Sequence, residues 1–371
     1  MIARPYDNLK IQWFISIVFA VLVGTGAADV VAAASVTSVS GAVTQGNTVQ
    51  ISGSNFGTHS LEVEWLGNAI EQGADGSDFS KAGWDNNWGW SNAKYTSGAI
   101  HSGSKSLKVI VDSPSGLYNG IFSFQLANPV KADGTLYVTW WVRKDNQDNT
   151  GQWKMLRLSG NKTIVDGAQE LVLFNWNPYN GGGSKQIVLD PGTSNDQTRW
   201  PGDTYFAFGD NNWYRQELVI KASSLNQNNG TATLTRYDNV SVNSYSAGAN
   251  LRTHVNSSDT YSYVIWQNYV GNGLQTANIW FDDVYIQPTA ARVELCDAPS
   301  WGARTHCEIQ VPTAWSGTAI TIKANTGSFT NGKPAYLYVL DAGGNVNASG
   351  YPVTIGGSSA VLAAPSNLRV Q

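Results

Sequence analysis

From residue 35 onward the chain alternates apolar and polar residues in short runs, and no segment sustains a helical period. TVQISG (48–53), SLKVIVD (106–112), TLYVTWWVRK (135–144), QWKMLRLSG (152–160), ELVLFNWN (170–177), WYRQELVIKA (213–222), YSYVIWQNYV (261–270), NIWFDDVYI (278–286), AITIKAN (319–325) and AYLYVLDA (335–342) all read as strands. Between them lie Gly, Asn, Asp and Ser, which set turns. Many short strands at this spacing predict an all-β protein made of sandwiches or jelly rolls.

The two-residue period also assigns faces. In 135–144, Leu136, Val138, Trp140 and Val142 share one face and Tyr137, Thr139, Trp141 and Arg143 the other. The first set is a core face. The second is aromatic and basic. Arg215 and Glu217 fall opposite Leu218 and Ile220 in the next long strand, and Trp153 and Arg157 fall together in a third. Tyr263, Gln267 and Tyr269 share a face of 261–270. If these sets meet on one sheet, they line a groove suited to a polysaccharide: Trp and Tyr stack on pyranose rings, and Arg, Gln and Glu bond hydroxyls or carboxylates. An ordinary solvated face with amphipathic aromatics is the competing reading.

The first 34 residues form a different pattern. Arg4 and Lys10 precede an apolar run, IQWFISIVFAVLVGTGA (11–27), and Ala32-Ala33-Ala34 supplies small residues for cleavage. This reads as a signal peptide over 1–34, with no later membrane span, and predicts a protein secreted or held at the extracellular surface. A retained anchor is the alternative. Cys296 and Cys307 are the two cysteines of the chain, and in an exported protein they predict one disulfide. Charged residues make up 13% of the 371, with a net charge of −4 and no basic stripe, which removes the electrostatic footprint of a nucleic-acid binder. Tryptophan is abundant, 15 residues, as suits either sugar contact or a large sandwich core.

The two ends of the exported chain carry a resemblance. SVTSVSGAVTQGNTVQISGSNFGTHS places Gly41, Gly46, Val49, Ile51, Gly53, Phe56 and Gly57 as in the opening of an IPT/TIG domain, which is immunoglobulin-like. VPTAWSGTAITIKA and DAGGNVNASGYPVTI resemble later strands of the same family. The resemblance implies one immunoglobulin-like sandwich, split over 35–66 and 289–356, with residues 67–288 inserted as a second domain; 357–371 is a linker-like tail. Two domains in series is the alternative, but it leaves the first piece with too few strands to stand alone.

The inserted block resembles concanavalin A-like jelly rolls, the shape of polysaccharide lyases, glucanases and several carbohydrate-binding modules. HSGSKSLKVIVD, NNWYRQELVIKA and ANIWFDDVYI carry the likeness. The resemblance implies a structural Ca²⁺ between an early acidic residue and the closing strand, at Glu71 and Asp283, with Asp75, Asp78 and Asp282 as alternatives; adjacent aspartates should point to opposite faces, so one of the pair ligates.

The chemistry is less specific. The paired carboxylates of jelly-roll glucanases are missing, and Glu62 and Glu64 read as surface residues of the small domain. β-Elimination needs a base and a group that neutralises a uronate carboxylate; Arg157, Arg215, Gln267 and Tyr269 supply those residue types, and His101 and His254 stay open as bases. The resulting expectation is a carbohydrate-binding or polysaccharide-associated protein, with sugar contacts at Trp88, Trp90, Trp141, Arg143, Trp153, Arg157, Arg215 and Glu217. A lyase acting on uronate-containing glycans is one alternative. A structural or adhesive surface protein that self-associates through its C-terminal tail is another. In GWDNNWGWSN (83–92) the polar residues read as turn-formers, and the three tryptophans as a mixture of loop anchor and exposed sugar platform.

Overall fold

The computed structural model describes residues 33–86, 93–111, 122–145, 152–162, 169–176, 186–191, 198–201, 211–246, 250–271 and 277–357. Four antiparallel sheets carry the described chain, alongside a single helical turn at Gly67–Ile70 and a 3-10 turn at Trp301–Ala303. No helix among the described residues is long and apolar enough to cross a membrane. The expected signal segment lies outside them, apart from Ala33 and Ala34.

The strand Thr135–Lys144 illustrates how the larger half is built. Leu136, Val138, Trp140 and Val142 all enter one apolar core, as the alternation predicts. The strand sits in an eight-stranded sheet that runs Val242–Ser246, Thr231–Tyr237, Trp213–Lys221, Thr135–Lys144, Ala277–Gln287, Ser106–Val111, Lys94–Thr96, with Glu64–Trp65 added on Ala277–Gln287. A seven-stranded sheet faces it across the core, in the order Thr198–Pro201, Gln186–Pro191, Gln169–Trp176, Gln152–Ser159, Tyr261–Gly271, Phe122–Val130, Trp84–Asp85. Phe122, Leu156, Leu158, Val264 and Trp266 supply its share of the packing. Two sheets face to face, filled by the inner residues of each, make the expected jelly-roll layering.

The smaller half is a sandwich of two four-stranded sheets. One runs Ser35–Ser40, Thr48–Ser54, Ala319–Lys323, Val311–Trp315, and the other Cys307–Ile309, Arg292–Cys296, Pro334–Leu340, Tyr351–Thr354. Strands from both ends of the chain therefore pair directly, with Thr48 opposite Lys323 and Ile51 opposite Ile320. Val49, Ile51 and Phe56 pack in one core with Val293, Leu295, Ile322, Leu337 and Val339. Gly53 is required by close approach: a Cβ there would lie 1.8 Å from the Ser35 carbonyl oxygen. The disulfide Cys296–Cys307 joins two paired strands of this half.

The junction departs from the expected boundary at residue 66. Glu64 and Trp65 pair with Ile286 and Tyr285 of the large sheet. Glu64 is correspondingly no free surface acid: its Oε1 accepts the Trp84 indole N–H at 2.6 Å and pairs with Lys81.

Candidate functional site

The residues expected to form one sugar groove are divided between two sheets. Trp141, Arg143, Arg215 and Glu217 stand on the eight-stranded sheet, where Arg215 pairs with Trp141 and Glu217 with Thr139. Trp153, Arg157, Gln267 and Tyr269 stand on strands of the seven-stranded sheet. The core separates the two groups. Alternation identifies a face of a strand, but the same pattern fits either sheet.

The outer face of the eight-stranded sheet is, moreover, covered by the small sandwich. Trp141, Arg215 and Glu217 are 2%, 1% and 4% exposed. The Arg215 guanidinium donates to both Glu294 carboxylate oxygens at 2.7 and 3.0 Å, to the Cys307 carbonyl at 2.9 Å and to Thr139 Oγ1 at 2.9 Å. Arg292 donates to Glu294 at 2.7 Å and to Glu217 at 3.1 Å, and the Tyr137 hydroxyl donates to Glu217 at 2.8 Å. The Trp141 indole donates to Glu308 at 3.1 Å and its ring stacks on His101. Burial alone pushes the Glu294 carboxyl up, but the facing Arg215 and Arg292 charges outweigh it and hold the group at about 2. Burial, followed by the charges of Glu217 and Glu294, raises the Tyr237 phenol to about 12. The groove reading is thus corrected for Trp141, Arg215 and Glu217, which form a desolvated ion-pair seam between the two halves. Arg143 lies at its margin, with Nη2 donating to Asn211 at 2.9 Å and the guanidinium over Trp280.

The outer face of the seven-stranded sheet forms the polar pocket. Register builds two adjacent rows there. Asp85, Ser123, Ile265 and Arg157 are successive cross-strand partners, and so are Gln125, Tyr263 and Ser159. Gly83, Trp84, Asp85, Ser123, Gln125, Lys162 and Tyr263 line a cavity of about 260 Å³. The Lys162 ammonium pairs with Asp85. Arg157 is fully buried in the sheet beside this pocket. Asp85, Ser123, Gln125 and Lys162 escaped the sequence reading. FSFQLANPV does carry a signal, since Phe122 and Phe124 alternate with Ser123 and Gln125, but a serine and a glutamine on a strand face are unremarkable without their neighbours. The side chains of Trp153, Gln267 and Tyr269 lie outside the described residues, as do Trp88 and Trp90 entirely.

The described part of GWDNNWGWSN frames this pocket. Trp84 packs on Phe122, Phe124 and Trp266 with ring centroids 5.1 to 5.7 Å apart, so this ring is held against the core. Asn86 ties this segment to its neighbours: its side chain donates to the carbonyls of Phe79 and Ala93 and accepts the Ala93 N–H.

Glu71 and Asp283, expected to share Ca²⁺, both engage the segment before the Ser106–Val111 strand. Glu71 accepts Ser104 N at 2.8 Å, Ser104 Oγ at 2.5 Å and Lys105 N at 3.3 Å. A side chain at Gly103 (φ +65°) would meet this carboxylate at 2.2 Å. Asp283 Oδ2 accepts Ser102 Oγ at 2.8 Å and faces His101 Nδ1 at 3.0 Å. Calcium takes oxygen acceptors, whereas these carboxylates are met by N–H and O–H hydrogens, so the pair as placed does not fit a shared ion. Nor do Asp282 and Asp283 diverge. Asp283 adopts φ +47°, which breaks the alternation, and Asp282 Oδ2 accepts His101 N at 3.0 Å on the same segment. Burial, then the adjacent Asp283 charge, pushes the Asp282 carboxyl well up. His254, considered as a base, is fully buried, with Nε2 on the Val130 carbonyl, and burial lowers it.

No family model and no curated protein matches the chain. Solved structures do superpose in part. A marine alginate lyase from Aplysia kurodai shares 11% identity, covering 66% of this chain and 99% of its own, with a TM-score of 0.43. An endo-β-1,4-glucuronan lyase from the fungus Trichoderma reesei shares 16%, covering 57% and 94%, with a TM-score of 0.41. An alginate lyase from a Chlorella virus shares 12%, covering 51% and 88%, with a TM-score of 0.39. These likenesses give no residue of this chain a role.

Proposed function

We propose that this is an exported polysaccharide-handling protein whose glycan site is the pocket on the outer face of the seven-stranded sheet, and that its reaction is β-elimination of a uronate-containing chain. The observation that carries this reading is the company kept in the pocket: the Tyr263 phenol, the Lys162 ammonium, Gln125 and Asp85 around one cavity. Elimination removes the proton α to the uronate carboxylate and expels the glycosidic oxygen across the neighbouring bond. The developing enolate needs a cation or amide at the carboxylate, and the proton needs an acceptor. Tyr263 is the proton-transfer group in this reading, and Lys162 and Gln125 meet the carboxylate. The disulfide is in keeping with export.

Incubation with alginate, glucuronan and pectate, followed by the ultraviolet absorbance of the unsaturated uronate end, tests the proposal. Tyr263→Phe should lower the rate by about 10²- to 10⁴-fold, with substrate binding kept. A flat absorbance trace on every uronate polymer sinks the catalytic reading. One observation favours a second reading, glycan binding without turnover: Asp85 already neutralises Lys162, so an incoming carboxylate has to displace it. Retention on acidic polysaccharide with no new absorbance would select that reading.

A further inference from the structure

One row of side chains on the outer face of the eight-stranded sheet lies beyond the seam and is used by neither reading above. Register fixes its members. Lys94 pairs with Lys108, Lys108 with Trp280, Trp280 with Arg143 and Arg143 with Trp213, so the row crosses five neighbouring strands. Alternation fixes its direction. Tyr95, Leu107, Phe281, Val142 and Tyr214, each next in sequence to a member, all enter the core, so the row faces outward. Trp141, on the same face as Arg143, is buried under the small sandwich. The row is more open: Lys108, Arg143 and Trp213 are half-buried, and Trp280 is 8% exposed.

The row carries positive charge that the described chain does not answer. Lys108 Nζ lies 5.7 Å and the Arg143 guanidinium 5.3 Å from the Trp280 ring centroid. Such contacts hold a cation in place without neutralising it. Among the described residues no carboxylate forms an ion pair with Lys108 or Arg143. Lys94, at the end of the row, is already paired with Asp78. Asp145, the next acid on this face, is taken up by the backbone and side-chain N–H groups of Asn278. Asn211 Oδ1 accepts one bond, from Arg143 Nη2 at 2.9 Å. Arg143 Nε and the indole N–H groups of Trp280 and Trp213 are buried and reach no acceptor. Ammonium, guanidinium and indole groups are donors throughout the neutral range, so this unmet demand does not turn on a tautomer. Donors and uncompensated cations in one row favour a ligand rich in anionic oxygen.

We propose that this row is a second polysaccharide surface, which holds the carboxylates of a uronate-bearing chain at Lys108 and Arg143 and sets Trp213 against its sugar rings. The two cations stand two strands apart, roughly 10 Å at the usual strand spacing. A small anion meets one of them, whereas a polymer charged along its length meets both, and linked weak contacts multiply into a useful affinity. Trp280 aligns the cations, and Trp213 adds a ring of the kind that stacks on pyranose faces. A nucleic acid is disfavoured, since its hold depends on many cations and this chain has a net charge of −4. That the acid is a uronate rests on the pocket reading above. The row itself takes no part in elimination, because the core lies between it and the pocket. Its role is to keep a long chain attached while the opposite sheet acts on it.

The test uses the full exported chain with its disulfide intact, with and without the double change Lys108→Ala/Arg143→Ala. For binding, both proteins also carry Tyr263→Phe, so that the polymer survives. Affinity for alginate, read from retardation in native gels that contain it, should fall at least tenfold in the double variant. The difference should shrink with added salt and be missing for a monomeric uronate and for neutral dextran. With Tyr263 restored, the double variant should eliminate short alginate oligomers at the unaltered rate. A flat absorbance trace therefore counts against the pocket, and an unchanged alginate affinity counts against the row. Should the double variant fail to fold, carbodiimide coupling of alginate to the chain with Lys108 and Arg143 in place decides: peptide mapping should find Lys108 joined to the polymer ahead of the exposed Lys131 and Lys221. Equal affinity of the two proteins for alginate, an equal loss for dextran sulfate or oligo(dT), or coupling that spares Lys108 would each overturn the proposal.

Discussion

Glu294 occupies the most demanding position in the molecule. It is fully buried and takes hydrogen bonds from two arginines, one from each half. Its worth is best seen by breaking it. Glu294→Gln leaves Arg215 and Arg292 short of a counter-charge in a dry seam, and removing one partner of such a set costs about 3–5 kcal/mol. Urea denaturation monitored by tryptophan fluorescence should register that loss; a change below about 1 kcal/mol would mean that water reaches the seam. Arginine, glutamate and tryptophan have the same letters whether they face water, a sugar or a second sheet, which is why Arg215, Glu217 and Trp141 were illegible as interface residues. Trp84 was ambiguous for a related reason. Its anchoring role depends on Phe124 and Trp266, distant in sequence and adjacent only after the sheet forms.

The strand Arg292–Cys296 gives the seam its pH dependence. The Glu294 carboxyl titrates near 2 in the folded protein against an ordinary value of 4.5. A depressed carboxyl contributes its stabilisation fully above the unfolded value and loses it as pH falls toward the folded one. Stability should therefore decline between about pH 4.5 and 2, and the decline should be shallower in Glu294→Gln, where Glu308, also held at about 2 by the facing His101 and His306, still contributes over the same window. Asp282, pushed up by burial and by Asp283, acts with the opposite sign, and its effect lies above its ordinary value of 3.8 rather than across the lower part of this window. Thermal midpoints collected across this range, for both proteins, check the window. Faces of strands were readable at this scale: Leu136, Val138, Trp140 and Val142 enter the core as their spacing predicts. Sheet membership was not, because period two carries no information about which neighbour a strand will bond. The exception at Asp283 arose where a left-handed residue interrupts the period.

At the scale of the whole molecule, the large half has one face that is finished only by the small one. Tyr137 and Tyr285 pack with Ile309, and Tyr237 with the disulfide and Tyr338. A piece containing residues 59–290 alone would expose these rings together with Arg215 and Glu217 stripped of partners. It should elute as aggregates and lack the near-ultraviolet circular dichroism of the full chain; a monomer that unfolds cooperatively would contradict the seam's importance. The all-β class was legible from alternation. The identity of the pocket was not, because its lining is assembled from the 83–85 strand, the 122–130 strand, Lys162 and Tyr263. The pairing of Thr48–Ser54 with Ala319–Lys323 has a temporal side. Lys323 Nζ bonds Thr48 Oγ1 across 275 residues of sequence. At synthesis rates of about 5–20 residues per second, the Thr48–Ser54 strand emerges tens of seconds before the strand that completes its sheet. During that interval it presents a bare hydrogen-bonding edge to whatever else is nearby, so the small sandwich starts to be made before the large half and can close only after it.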